Sequence, residues 1–171
     1  MKRALAALGL LLIGCDDGVD LAGVYRVDSA LRSTTSCTAD MPVTDPPAFL
    51  KFYKTKFFIG DEVWTYKSCT DQAAMMCSDF EVLGNALPDQ LDNGWRGTSW
   101  SASWFASNGN CVLGFHEQIA TRMGAMLVID SKDHTETVMM TTQDKCTADE
   151  AEARGAGTPC TGAEKLEATK I

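Results

Sequence analysis

The residues with the clearest capacity for chemistry are two histidines that stand next to acidic residues. His116 is followed by Glu117, as in the helical motif of zinc proteases, but residue 120, where the second histidine belongs, is alanine. That motif is therefore incomplete. His134 follows Asp133 in a polar stretch that is typical of an exposed turn. The sequence predicts no catalytic residue and no resident metal.

The chain contains seven cysteines, and the first of them, Cys15, stands apart from the other six. These six are Cys37, Cys69, Cys77, Cys111, Cys146 and Cys160. An even number of cysteines in an exported chain predicts disulfides, although six cysteines allow 15 pairings and the sequence does not select one. Proximity along the chain favours Cys69–Cys77 and Cys146–Cys160, which leaves Cys37–Cys111. The alternative is a metal cluster, which the lack of any Cys-x-x-Cys spacing disfavours.

The N-terminus has the layout of an export signal. Lys2 and Arg3 precede an apolar run of 11 residues, Ala4 to Gly14. This run is too short to span a hydrocarbon core, which needs about 20 residues. Basic residues followed by a short apolar run are typical of a secretory signal peptide. The alternative is a buried N-terminal helix, which the charges on either side disfavour.

The end of this run, Leu12-Ile13-Gly14-Cys15, resembles the lipobox of bacterial lipoproteins. The resemblance implies that residues 1–14 are removed by cleavage between Gly14 and Cys15 and that the Cys15 thiol carries a diacylglycerol. Two or more acyl chains hold a protein on a bilayer far more firmly than one chain. Cys15 would thus tether the protein to the extracytoplasmic side of the bacterial cell envelope. Asp16 resembles an inner-membrane retention signal, but that rule varies between lineages, so the choice of membrane stays open.

The charge of the chain limits its partners. The formal net charge is −8, and it becomes −10 when residues 1–14 and their two basic side chains are removed. Such a surface repels phosphate backbones, so nucleic acid is not an expected partner. Anionic headgroups are repelled as well, so the expected membrane contact is the acyl chains. The 157 residues that remain are enough for one domain with a hydrophobic core.

The chain from residue 22 to residue 145 has mainly the pattern of β-strands. The clearest strand covers residues 97–107, where Trp100 and Trp104 lie on one face and serines on the other. Asn108-Gly109 follows and predicts a tight hairpin turn. A further hairpin is predicted from residues 125–129 and 136–142, with its turn around residues 131–134.

The C-terminal part has a different pattern. Thr147 and Glu150 have the spacing of a capping box, which predicts a short helix over residues 148–154. Residues 161–171 are polar, and we expect them to be frayed. The predicted organisation is a signal peptide (1–14), an acylated tether (15–21), a β domain (22–145) and a disulfide-closed helical tail (146–171).

Successive hairpins predict an all-β fold, an antiparallel meander of roughly seven to nine strands with a short C-terminal helix. Such a sheet protects its edges by closing into a barrel or by stacking as a sandwich, and we expect a small barrel. Gly23-Val24-Tyr25 resembles the Gly-x-Trp opening of lipocalin-like barrels, with tyrosine in place of tryptophan. The resemblance implies a lipocalin-like barrel.

The candidate ligand-lining residues are Trp100, Trp104 and Glu117. Aromatic side chains in a barrel can hold an apolar molecule, although the tryptophans are also explained as core. Alternation places Glu117 on the same face as Leu113 and Phe115, where a carboxylate is costly unless it is paired. Glu117 therefore either meets a ligand or reaches water at the end of its strand.

These patterns predict an envelope lipoprotein whose β domain binds a small apolar ligand or lipid. No cofactor is expected beyond the covalent lipid on Cys15. The alternative is a structural lipoprotein with an envelope protein partner and no ligand. An enzyme, an uncharacterised hydrolase, is not expected.

The lipobox prediction is tested by the substitution Cys15→Ser. Without the thiol there is no acyl anchor, so we expect the variant to leave the membrane fraction and its precursor to escape normal processing. Cell fractionation followed by immunoblotting measures both. A variant that stays on the membrane and is processed like the wild type would contradict the prediction.

Overall fold

The structure is a computed structural model that describes residues 18–56, 60, 62–78 and 85–171. Cys15, its cleavage site and Asp16 lie outside these residues, so the lipobox stays a prediction. No helix in the described part is long and apolar enough to cross a bilayer. The described residues form one α-helix, α1 (Ala148–Arg154), and nine strands. The strands are β1 (Gly23–Ser33), β2 (Met41–Pro42), β3 (Phe49–Lys56), β4 (Glu62–Cys69), β5 (Asp89–Leu91), β6 (Gly94–Phe105), β7 (Asn110–Met123), β8 (Met126–Met139) and β9 (Cys160–Lys170).

The strands form a single antiparallel sheet in the order β4-β3-β1-β9-β8-β7-β6-β5, with β2 paired to β1. The sheet curls as a half-barrel, and its two ends meet at an isolated bridge, where the Leu87 amide donates to the Trp64 carbonyl at 2.7 Å. The prediction of an all-β antiparallel fold with a short helix near the C-terminus is confirmed.

The main core fills one end of the inner face of the sheet. Its fully buried members include Leu50, Leu127 and Ala168, which come from strands on both sides of the curl. The segment before β1 closes this end, because Leu21 is 0% exposed and packs into the core. Backbone atoms of this segment are held by side chains: the Tyr25 hydroxyl donates to the Leu21 carbonyl at 3.0 Å. Burial raises the pKa of that hydroxyl.

The predicted frayed tail is wrong, because residues 160–170 form β9 in the middle of the sheet, between β1 and β8. The boundary at residue 146 is wrong for the same reason, since the last strand completes the sheet that the first strand begins. The alternation of β9 escapes notice because two of its buried residues, Ala163 and Ala168, are small, and Leu166 is the one large apolar side chain.

Two predicted hairpins had different outcomes. The hairpin at Asn108-Gly109 is confirmed between β6 and β7, but its loop covers residues 106–109 and only Gly109 in that loop has a positive φ, of +68°. The turn predicted at residues 131–134 is wrong, because these residues lie inside the continuous strand β8. The real turn is at Gly124, whose φ of +65° suits a residue without Cβ. The predicted helix is confirmed, and the Glu150 amide donates to the Thr147 hydroxyl that caps it.

The disulfides are Cys69–Cys77, Cys37–Cys160 and Cys111–Cys146. The first was predicted, and the two predicted pairs Cys146–Cys160 and Cys37–Cys111 are wrong. Proximity along the chain misleads here because β9 returns to the centre of the sheet. Its pairing with β1 reaches Ser33, four residues before Cys37, and so brings Cys160 to that loop.

The central position of β9 is tested by the pair Leu166→Ala and Lys165→Ala. Leu166 is 6% exposed in the core, so its truncation should lower the free energy of unfolding by about 2–5 kcal/mol. Lys165 makes an exposed ion pair with Glu167 at 2.8 Å, and its truncation should leave the free energy of unfolding nearly unchanged. Urea unfolding measures both. Equal, small losses would mean that β9 does not pack in the core.

Candidate functional site

In the region of β6, β7 and β8, both faces of the sheet carry clusters of side chains. Side chains alternate along a strand, and residues directly opposite on paired strands share a face. The outer face carries a second, small core under α1, formed by Cys111, Leu113 and Ala151 with Trp104 packed against them. The inner face carries the main core at one end and polar residues further along.

None of the predicted ligand-lining residues lies on the inner face. Trp104 packs in the second core, and Trp100 is 38% exposed, with its ring 6.5 Å from that of Phe115. Glu117 shares the outer face with them, opposite Thr98. The prediction that Trp100, Trp104 and Glu117 line the barrel interior is therefore wrong. Alternation shows which residues share a face but not which face curls inward.

Polar side chains from six strands meet on the inner face, just beyond the main core, and we call the space between them the polar cleft. Its volume is about 420 Å³. The lining residues are Arg32, Tyr66, Asn85, Ser99, His116, Gln118, Ser131, Asp133 and Glu164. Ser99 lies on the face of β6 opposite to that of Trp100 and Trp104. This serine-bearing face is thus the one that curls inward.

The polar cleft contains two pairs that each consist of one basic and one acidic residue. His116 Nδ1 lies 2.8 Å from Asp133 Oδ1, and Arg32 Nη2 lies 3.5 Å from Glu164 Oε2. The sheet register produces both pairs, because His116 is opposite Asp133 on β7 and β8, and Arg32 is opposite Glu164 on β1 and β9. Since an imidazole nitrogen facing a carboxylate carries the proton, Nε2 of His116 is left for another partner when the ring is neutral.

Gln118 forms the floor of the polar cleft and is 5% exposed. Its Nε2 donates to the Tyr66 hydroxyl at 2.7 Å and to the Ser131 hydroxyl at 3.1 Å, so one amide ties β7 to both β4 and β8. Its Oε1 is buried and has no hydrogen-bond partner. Rotating the amide by 180° would satisfy the oxygen and leave the nitrogen unpartnered instead. A buried polar atom without a partner costs about 1–3 kcal/mol, so this floor is not optimised for stability alone.

One wall of the polar cleft depends on a glycine. The segment that carries Asn85 crosses β6 at Gly97, where a Cβ atom would lie 1.9 Å from the Ala86 carbonyl oxygen. Beside this crossing, Nδ2 of the Asn85 side chain donates to the backbone carbonyl of Tyr66 at 3.2 Å. Only a residue without a side chain allows this close backbone approach.

Ser99, His116 and Asp133 are the three residue types of an acyl-transfer triad. They lie side by side across β6, β7 and β8, because Ser99 is opposite His116 and His116 is opposite Asp133. In such triads a buried aspartate holds the histidine in one tautomer. Here the Asp133 side chain is 62% exposed, so water competes for its carboxylate. The row is therefore better suited to hydrogen bonding with a ligand than to activating Ser99 as a nucleophile.

A candidate metal-ligand cluster in the described residues consists of Cys37, His134 and Cys160, whose ligand atoms lie within 4.8 Å of one another. None of the three lines the polar cleft. The two sulfur atoms are bonded to each other, whereas a metal needs thiolates. His134 is 8% exposed, and its Nδ1 lies 2.7 Å from the Thr158 carbonyl oxygen. The expectation that His134 sits at a solvated hairpin tip is therefore wrong.

A comparison of the chain with protein-family models, with curated proteins and with solved structures finds no match.

The wall of the polar cleft is tested by Gly97→Ala, with Gly157→Ala as the matched control. The Cβ added at residue 97 must displace backbone, which should lower the free energy of unfolding by about 2 kcal/mol. A Cβ at Gly157 meets no atom within 4 Å, so its effect should stay within about 0.5 kcal/mol. Urea unfolding measures both variants. If Gly97→Ala is as stable as the wild type, the segment around residue 86 does not lie against β6.

Proposed function

We propose that the protein is an exported, lipid-anchored binding protein that holds a small polar ligand in the polar cleft. The observation that carries the proposal is the placement of this cleft. Nine residues from six strands and one loop turn polar groups toward a shared space of about 420 Å³ beside the apolar core. Ligand sites typically fall between about 300 and 1,000 Å³ and orient the ligand with a few fixed polar groups.

The compartment follows from the cysteines. Three disulfides are typical of a chain that folds in an oxidising, extracytoplasmic environment. Anchoring in the bacterial envelope is the further step that we propose, and its support is the lipobox that ends at Cys15.

The described segment that follows the proposed anchor packs at the apolar end of the inner face, and the polar cleft lies further along that face. Gly18, the first described residue, is in contact with the Gln90 side chain, and Leu21 then closes the apolar end. Cys15, the proposed attachment point, precedes Gly18 by three residues in the sequence. Along β1, Arg32 in the cleft lies roughly 20 Å beyond Tyr25 in the core.

A polar ligand is better supported than the apolar ligand or lipid expected from the sequence. The apolar end of the inner face is filled by the protein itself, with Leu21, Leu50 and Leu127 each at 0% exposure. The polar cleft itself is lined by hydroxyl, amide, imidazole, guanidinium and carboxylate groups. An apolar molecule there would desolvate these groups without pairing them, which is unfavourable.

A second candidate is the binding of an envelope protein at the outer face, favoured by Trp100, whose large apolar side chain is 38% exposed there. A photo-crosslinker at residue 100 should then capture one recurrent protein in cells. Random capture would count against this candidate.

The proposed function is tested by thermal unfolding with panels of saccharides, amino acids and nucleosides. A ligand at one hundred times its Kd should raise Tm by about 5–10 °C. The shift should be lost in Asp133→Ala and kept in Lys132→Ala, a control on the opposite face of β8. The proposal fails if no panel shifts Tm, or if the shift survives in Asp133→Ala.

A further inference from the structure

We infer that the ligand of the polar cleft is a neutral polyhydroxylated molecule of the size of a mono- or disaccharide. The inference rests on the proposed function, and it follows from how the groups in the cleft are already paired.

The basic and acidic residues of the polar cleft face one another in two pairs. Arg32 faces Glu164 and His116 faces Asp133. An anionic ligand would compete with Glu164 for Arg32, and both carboxylates would repel it. A cationic ligand would have to displace Arg32 or His116 from its carboxylate. A neutral ligand requires neither, so the pairing disfavours ions of both signs.

The paired groups keep capacity for further hydrogen bonds. A carboxylate offers about four acceptor positions and a guanidinium five N–H donors, and each group uses only part of this in the pairs described above. The hydroxyls of Ser99 and Ser131 both donate and accept. A sugar hydroxyl has the same dual character, so it can donate to a carboxylate and accept from Arg32 in the same position.

The spacing of these groups suits a ring with several hydroxyls. Two rows of residues cross the floor: Glu164, Ser131 and Gln118 are opposite one another in the first row, and Asp133, His116 and Ser99 in the second. Neighbours in a row are about 5 Å apart, and the two rows are about 7 Å apart. Because each group is held on a strand, the pattern is preorganised, which reduces the entropy lost on binding.

The competing ligand classes fit less well. A phosphate or nucleotide would meet one arginine against two carboxylates. A divalent cation would meet Asp133 and Glu164 on different rows, each already facing a basic side chain. An apolar ligand would leave the hydroxyl and amide groups unpaired.

The test is isothermal titration calorimetry of the full chain in a detergent without a sugar headgroup. The probes are neutral mono- and disaccharides, the uronic acids and amino sugars built on the same rings, amino acids, and nucleosides. We expect a neutral saccharide to bind, and its uronic-acid and amino-sugar counterparts to bind at least tenfold more weakly, because their charge competes with an existing pair.

Two isosteric variants locate the binding. Asp133→Asn and Glu164→Gln keep the shape of the cleft but weaken its charge-assisted hydrogen bonds, so each should reduce saccharide affinity about tenfold. Lys132→Ala, on the opposite face between the two rows, should leave the affinity unchanged. Near-UV circular dichroism and urea unfolding verify that each variant is folded.

The outcomes separate the inference from the proposed function. If a charged probe or an amino acid binds more tightly than every neutral saccharide and depends on Asp133, the saccharide inference is overturned and the polar binding site stands. Saccharide binding that is unchanged in both isosteric variants places the ligand elsewhere and overturns the inference. If no probe of any class binds, both the inference and the proposed function are wrong.

Discussion

The pairing of β9 with both β1 and β8 is the constraint on which the rest of the structure depends. In the described sheet, β9 joins the strands β1 to β4 to the long strands β6, β7 and β8. This pairing brings Glu164 beside Arg32 on one side and beside Ser131 on the other. It also brings Cys160 to Cys37. Without β9 there is neither a continuous core nor a polar cleft.

The inner face of the half-barrel has an apolar part, which stabilises the fold, and a polar part, which we propose binds a ligand. The apolar part is filled and closed by the segment around Leu21, and it accounts for most of the burial. The polar part adds less stability: the charged pairs are partly exposed, and Gln118 buries an unpartnered atom. Polar groups kept beside a filled core in spite of this cost are what a binding site requires.

Local structure could be predicted where one short segment carries the information. The capped helix after Thr147, the turn at Asn108-Gly109 and the nearby pair Cys69–Cys77 are of this kind. Long-range relations could not be predicted. Alternation placed Trp100 and Trp104 together, but the direction of curl depends on the whole sheet. His116 and Asp133 were recognised singly, and only the register of β7 with β8 pairs them.

The most direct test of the central claim is chemical-shift mapping of backbone amides in an NMR titration with the saccharide that binds most tightly. The structure predicts shifts concentrated on the inner face, at Ser99, His116, Gln118 and Ser131. The backbone amides of Trp104 and Ala151, in the second core, should shift much less. Shifts centred on the second core, or spread evenly over the sheet, would contradict the polar cleft as the binding site.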